Sequence, residues 1–370
     1  MQVEGECAPA FGAVRDAFVA NLENGELGAC LAIYVRGRPV VNLWGGYRDV
    51  ARTQAWQHDT VVLAMSVTKS MGALCVLSLV DRGRIELSAP VSRYWPKFGK
   101  PAITVEAVLA QLAGLPYCDA PPGSLWEPGA IASALERQQP EWPAGSTPCY
   151  HSFTAGPLYG EIVRRVDGRS LGRYFREEIA GPLGADFYIG LSTEADRRRA
   201  EYQATAGTPS WDGIKRRARS PLNRAWLPLP DDEDCNSPSW RFKEFASANG
   251  HGSAAGTARI YAALANGGEL DGVRVISAGV LENAIRPRWH TVEAMTNRVF
   301  RYCLGFMGSS VTTPMGGREH NFGHPGIGGA IAFADPQARA AFCYLPNRMA
   351  PAADQGPYAT ALIDAFYMSL

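Results

Sequence analysis

In these 370 residues, 36 lysines and arginines balance 36 aspartates and glutamates, so the chain carries no net field suited to a nucleic acid or other polyanion. Apolar residues make up 46% and charged residues 19%, which excludes a disordered chain and supplies a large core. At roughly 150 residues per domain, the length fits two domains or one composite one.

The opening MQVEGECAPAFGAVRDAF has no apolar h-region, and no uninterrupted apolar stretch approaches the ~18 residues of a membrane span. A cytoplasmic protein without a membrane partner is therefore expected. Eight cysteines lie far apart in sequence, with no CxxC pair, and read as free thiols in small buried sites. Two basic runs, Arg197–Ala200 and Ile214–Ser220, read as solvated surface loops.

In chain order, FGAVRDAFVANLENG predicts an amphipathic helix closing at Asn24-Gly25. Two β-rich runs around Arg36-Gly37-Arg38 predict a hairpin. Val61–Val80 follows, 20 residues with one charge, Lys69. From about 85 to 250, proline and glycine punctuate short helical pieces: TVEAVLAQLAG, IASALERQQ, AGPLYGEIVRRVDG and SLGRYFREEIAGPLG. SAAGTARIYAALANGG is another helix. The end turns β-rich again, with two strands joined at Asp335-Pro336-Gln337 and a closing helix, YATALIDAFYMSL. The economical architecture is an α/β fold. Both ends of the chain form one sheet flanked by helices (1–84 and 255–370), and a mainly helical domain (85–254) is inserted, with the active site between them.

Lys69 needs an explanation, because burying an ammonium is costly. With a helix from Val67 to Arg82, Lys69 lies three positions after Ser66 and shares its face. Ser66 opens the helix, where its own amide and the helix dipole favour an oxyanion. A free lysine titrates near ~10.4, and bringing it to ~7 takes about 4.6 kcal/mol, within what burial supplies. The pair then reads as a serine nucleophile activated by lysine. The competing reading is a snorkelling lysine with Ser66 as an ordinary N-cap.

A second element is Tyr150 in CYHSFTAG, in a loop directly before a helix. With SVTK, RGRIELSAPVSRYWP, SANGHGSAAG and FGHPGIGGAIAFADP, it makes the chain resemble the serine β-lactamase and penicillin-binding-protein superfamily, and within it the family VIII carboxylesterases. The resemblance spans nearly the whole chain. It implies a β-lactamase/transpeptidase-like fold, with antiparallel strands covered by helices on both sides and a helical domain. It implies Ser66 as nucleophile, with Lys69 and Tyr150 sharing the base work and the proton on either. Ser152 stands where the family has asparagine, and His324-Pro325-Gly326 stands in place of Lys-Thr-Gly. The amides of Ser66 and Ile327 are the implied oxyanion donors, while His324, Gly326 and Ser152 are implied to face the substrate. His324 is expected to titrate near ~6.5.

The implied reaction is hydrolysis of small-molecule carboxylic esters with no cofactor or metal. The same site also suits a β-lactamase, a D-aminopeptidase or amidase, an acyltransferase, or a penicillin sensor that acylates and stops. Gly168-Arg169-Ser170-Leu171-Gly172 matches G-x-S-x-G, but the charged helical EIVRRV before it makes Ser170 a helix cap rather than a nucleophile elbow. His251 reads as a turn residue. Trp126, Trp142 and Trp240 read equally as an acyl pocket or as core.

Overall fold

A computed structural model describes residues 2–203, 224–230, 234–350 and 355–370. The basic run Ile214–Ser220 lies outside them. Nine strands form one antiparallel sheet in the order Val3–Cys7, Arg38–Gly46, Gly28–Val35, Ala340–Pro346, Ile331–Asp335, Phe322–Pro325, Met307–Gly308, Val299–Tyr302 and Trp289–Val292. Both ends of the chain therefore meet in the middle of the sheet, where Gly28–Val35 pairs with Ala340–Pro346. Gly28–Val35 is apolar along nearly its whole length because both of its faces are covered. Leu31 and Ile33 point to one core layer with helices Gly12–Glu23 and Gly356–Ser369. Ala32 and Tyr34 point to the other, with helices Val67–Asp81 and Ala254–Ala265. That second layer runs without a break into the helices Ala130–Arg137 and Ala155–Asp167 of the middle region.

The Arg36-Gly37 hairpin has both central residues at positive φ (51° and 77°), the geometry that matches the twist of its strands. The first helix ends at Glu23, with Gly25 at φ 113° behind it. The C-terminal run holds three strands rather than two, because Phe322–Pro325 precedes the expected pair. Helix Ala278–Ile285, capped by Ser277, is an addition to the elements read from sequence. Arg197–Ala200 is not a solvated loop. Arg198 pairs with Asp186 at 2.7 Å and Arg199 with Asp196 at 3.1 Å, all four side chains being about three-quarters covered. All eight cysteines are free, seven of them buried. Among the described residues no helix is long and apolar enough to cross a membrane.

A small second sheet, Val62–Leu63, Gly250–Gly252 and Phe187–Ile189, leads into the Lys69 helix. His251 is a strand residue here, not a turn residue, paired with Leu63 and Tyr188. Its flanking glycines serve close packing. A β-carbon at Gly250 or Gly252 would fall 2.6 or 2.5 Å from the Phe187 ring.

Glu26 is 2% exposed, accepts a hydrogen bond from the Tyr344 hydroxyl and lies near Arg348. Burial lifts its carboxyl to about 7. The unfolded chain ionises at ~4.3, so this group's contribution to stability is full below that pH and is lost as pH rises through 7. Glu26→Gln is expected to raise stability by up to about 3 kcal/mol at pH 8 and by little at pH 4. Urea midpoints at the two pH values check this; an equal change at both would contradict it.

Candidate active site

The strand Val62–Leu63 enters the site through Ala64 and Met65, and Ser66 stands at the start of helix Val67–Asp81. Met65 has φ 48°, a costly conformation for a side chain of this kind, directly before Ser66. Two neighbours hold it there. Thr68 Oγ1 donates to Met65 O at 2.5 Å and accepts from Gly250 N at 2.9 Å. Gly326 presses on the other side, where a β-carbon would lie 2.7 Å from Ala64 O and 2.9 Å from Met65 Cβ. The Ser66 hydroxyl makes no capping bond, so the ordinary N-cap reading fails.

Lys69 does not snorkel. It is 0% exposed on a helix buried nearly all round. Its Nζ lies 3.1 Å from Ser66 Oγ, 2.7 Å from Ser247 O and 5.0 Å from the centre of the Tyr150 ring. Desolvation holds its pKa well below the usual lysine range. Tyr150 is partly buried, with its hydroxyl facing the Ser66 side chain. Desolvation, reinforced by the charge of Glu293, pushes it well above the usual tyrosine range. Burial thus favours one distribution of the proton, an amine on Lys69 and an intact phenol on Tyr150. The ammonium–phenolate alternative would place two charges in the same desolvated space.

The Ser66 amide heads the helix, and the Ile327 amide lies in the turn after strand Phe322–Pro325. Neither N–H donates to an acceptor among the described residues. Ile327 is partly buried and Gly326 fully so.

His324 departs from expectation. It is 1% exposed inside its strand, 6.0 Å from the Tyr150 ring, with Nδ1 at 2.7 Å from Pro325 O. Its Nε2 has no partner among the described residues. Burial first, and Lys69 second, push its pKa down to about 3, so it does not titrate near neutrality. Ser152 is also buried, at 3% exposure, with its hydroxyl unpartnered among the described residues.

Three residues without a role in the sequence reading complete the cluster. Glu293, fully buried, accepts from the backbone N–H groups of Tyr150, Met295 and Thr296 at 2.7, 2.9 and 2.5 Å, fixing the Tyr150 loop. Ser247 holds Lys69 with its carbonyl, while its hydroxyl donates to Phe153 O and accepts from Gly156 N at 2.7 Å. His151 accepts from Leu115 N at Nε2 (3.1 Å), leaving Nδ1 as the donor to Cys149 O (2.6 Å), and burial lowers its pKa to about 4. Ser247 lies within the quoted SANGHG, whereas Glu293 carries no local signal.

Ser170 caps helix Leu171–Phe175, accepting from Arg173 N and donating to Glu244 at 2.6 Å. Trp240 is core. It packs edge-on against the partly buried Trp126 at 5.9 Å and against Phe245 at 6.0 Å.

Comparison with known proteins agrees with this geometry. The beta-lactamase family model matches residues 14–365. The esterase/beta-lactamase LipL of Mycobacterium tuberculosis is 32% identical over 363 residues, covering 94% of this chain and 83% of LipL. A solved family VIII carboxylesterase aligns with a TM-score of 0.90 and 35% identity over 100% of both chains. A penicillin-binding protein homolog from Caulobacter crescentus gives the same figures. The chain belongs to the beta-lactamase family. It is a serine hydrolase of that fold, similar in structure to a family VIII carboxylesterase.

Proposed function

We propose that the protein hydrolyses uncharged carboxylic esters through an acyl-enzyme on Ser66. The observation that carries this reading is a buried lysine, without a carboxylate counter-charge among the described residues, whose Nζ lies 3.1 Å from a hydroxyl at a helix start. Lys69 takes the Ser66 proton as Oγ attacks the ester carbonyl carbon. The oxyanion accepts from the Ser66 and Ile327 amides. As the C–O bond breaks, Tyr150 gives its proton to the leaving alkoxide and takes one from Lys69, which is again an amine. Water then attacks the acyl-enzyme with the same two groups working in reverse, releasing the acid and restoring Ser66.

A neutral His324 leaves no cation at the position where the resemblance puts a lysine, which favours an uncharged ester over an anionic β-lactam. A panel of p-nitrophenyl acyl esters, a D-amino-acid amide and a chromogenic cephalosporin tests the reading. The esters are expected to turn over fastest, and with His324 pushed to about 3 the cephalosporin rate should not rise between pH 7 and 5. Ser66→Ala should abolish ester turnover, while Ser170→Ala should leave it intact. Turnover retained in Ser66→Ala would overturn the proposal, and a cephalosporin rate matching the best ester would overturn the substrate preference.

A further inference from the structure

The two amides proposed as oxyanion donors lie 261 positions apart in sequence, so something must fix their separation. We infer that Tyr202 is a positioning residue for the oxyanion hole, acting as the centre of a brace that ties the Ile327 turn to the strand leading into Ser66. The inference rests on the ester-hydrolysis reading above.

The brace is the segment 198–203, which is laced to both sides of the site. On the Ser66 side, Val61 N donates to Arg198 O at 3.2 Å and Ala200 N donates to Val61 O at 2.8 Å, forming a parallel bridge to the residue before strand Val62–Leu63. On the other side, Gln203 N donates to Asn347 O at 2.7 Å and Met349 N donates to Gln203 O at 2.8 Å. Between these two ladders stands Tyr202, buried, with its hydroxyl donating to Ile327 O at 3.3 Å. Asn236 locks its backbone from behind. The Asn236 side-chain amide accepts from Tyr202 N at 2.8 Å and donates to Tyr202 O at 3.0 Å.

The turn is shaped to receive this contact. Gly328 has φ 91°, and a β-carbon there would lie 2.3 Å from the Tyr202 hydroxyl and 2.9 Å from Met349 Cγ. Glycine is thus required twice, for the backbone conformation and for the approach of the phenol. The carbonyls around Ile327 are all engaged: Gly326 O accepts from Gly329 N, Ile327 O from Tyr202, and Gly328 O from Ala350 N. The Ile327 N–H is left as a donor in a turn that cannot rotate it away. Preorganisation of this kind acts on the transition state, because the oxyanion exists only there, and much less on substrate binding.

The test is Tyr202→Phe, which keeps the ring and removes only the hydroxyl. For the best p-nitrophenyl ester, kcat is expected to fall about tenfold with KM nearly unchanged, less than the ~10²–10³ lost when an oxyanion donor is deleted outright. The inhibition constant of a trifluoromethyl ketone, which forms a tetrahedral adduct with the serine, should weaken by the same factor as kcat/KM. A merely structural tyrosine would lower thermal stability without this split. A full-rate Tyr202→Phe, or a rise in KM at constant kcat, would overturn the assignment. Failure here is distinct from failure of the functional reading, since the latter would appear as no ester turnover by the wild type or as turnover surviving in Ser66→Ala.

Discussion

Lys69→Met is expected to lower kcat for ester hydrolysis by ~10²–10⁴, the range for losing a general base. Methionine is close to lysine in length and suits its buried setting, giving up the hydrogen bonds to Ser66 Oγ and Ser247 O, so the fold should tolerate it. Tyr150→Phe should lose activity in the same range, because the ring contacts to Phe300 and His324 survive while the hydroxyl facing Ser66 is gone. The two losses should not multiply in the double variant, since both groups carry one proton along one route. Single-turnover rates of acylation and steady-state kcat for the three variants decide this. Independent, multiplicative losses would dismiss the shared route, and a full-rate Tyr150→Phe would remove Tyr150 from the mechanism.

Acid should unfold the protein well before its carboxylates are neutralised. His151 and His251 are held neutral with pKa values of about 4, and His324 with one of about 3, in each case chiefly by burial. In the unfolded chain the same groups titrate near ~6.5. Their folded values are depressed, so the stability tied to their neutral forms is present above pH 6.5 and is lost as pH falls toward 4 and 3. Between pH 6.5 and 4.5 each histidine should cost up to about 2–3 kcal/mol, against a total of ~5–15 kcal/mol for a typical fold. Glu26 works in the opposite direction over part of this window, and its removal in Glu26→Gln isolates the histidines. Urea midpoints at pH 7.5, 6 and 5 in that background should fall steadily. His324→Phe, which keeps the packing against Tyr150, should flatten the fall. A midpoint unchanged from pH 7.5 to 5 would contradict the argument.

What the sequence reveals follows from how local the physics is. The proximity of Ser66 and Lys69 is legible because three residues on a helix fix it, and the all-round apolarity of that helix announces burial. The central strands are legible as apolar runs. The edge strands are not: Val3–Cys7 is VEGEC, half-exposed and carried by backbone pairing with Arg38–Gly46. Gly250–Gly252 mimics a turn, because its glycines answer to the Phe187 ring and not to a backbone reversal. The depth of His324 is set by what covers it, and no spacing reports that. Glu293, Ser247 and Tyr202 hold the site by grasping backbone groups or lending their own. Such contacts leave no periodicity and no motif.

The meeting of both chain ends in the middle of the sheet has a consequence during synthesis. Gly28–Val35 leaves the ribosome more than 300 residues ahead of its partner Ala340–Pro346. At ~5–20 residues per second, this strand waits on the order of half a minute with an open apolar edge, a template for the wrong partner. Long-range pairing of this kind also slows the final closure. The Ile327 turn belongs to the same late-arriving segment, so a nascent chain carries its serine long before it carries the groups that surround it. Catalytic competence in this sense reports the arrival of that segment, and products truncated before Ile327 should accumulate as aggregates rather than as partly active enzyme.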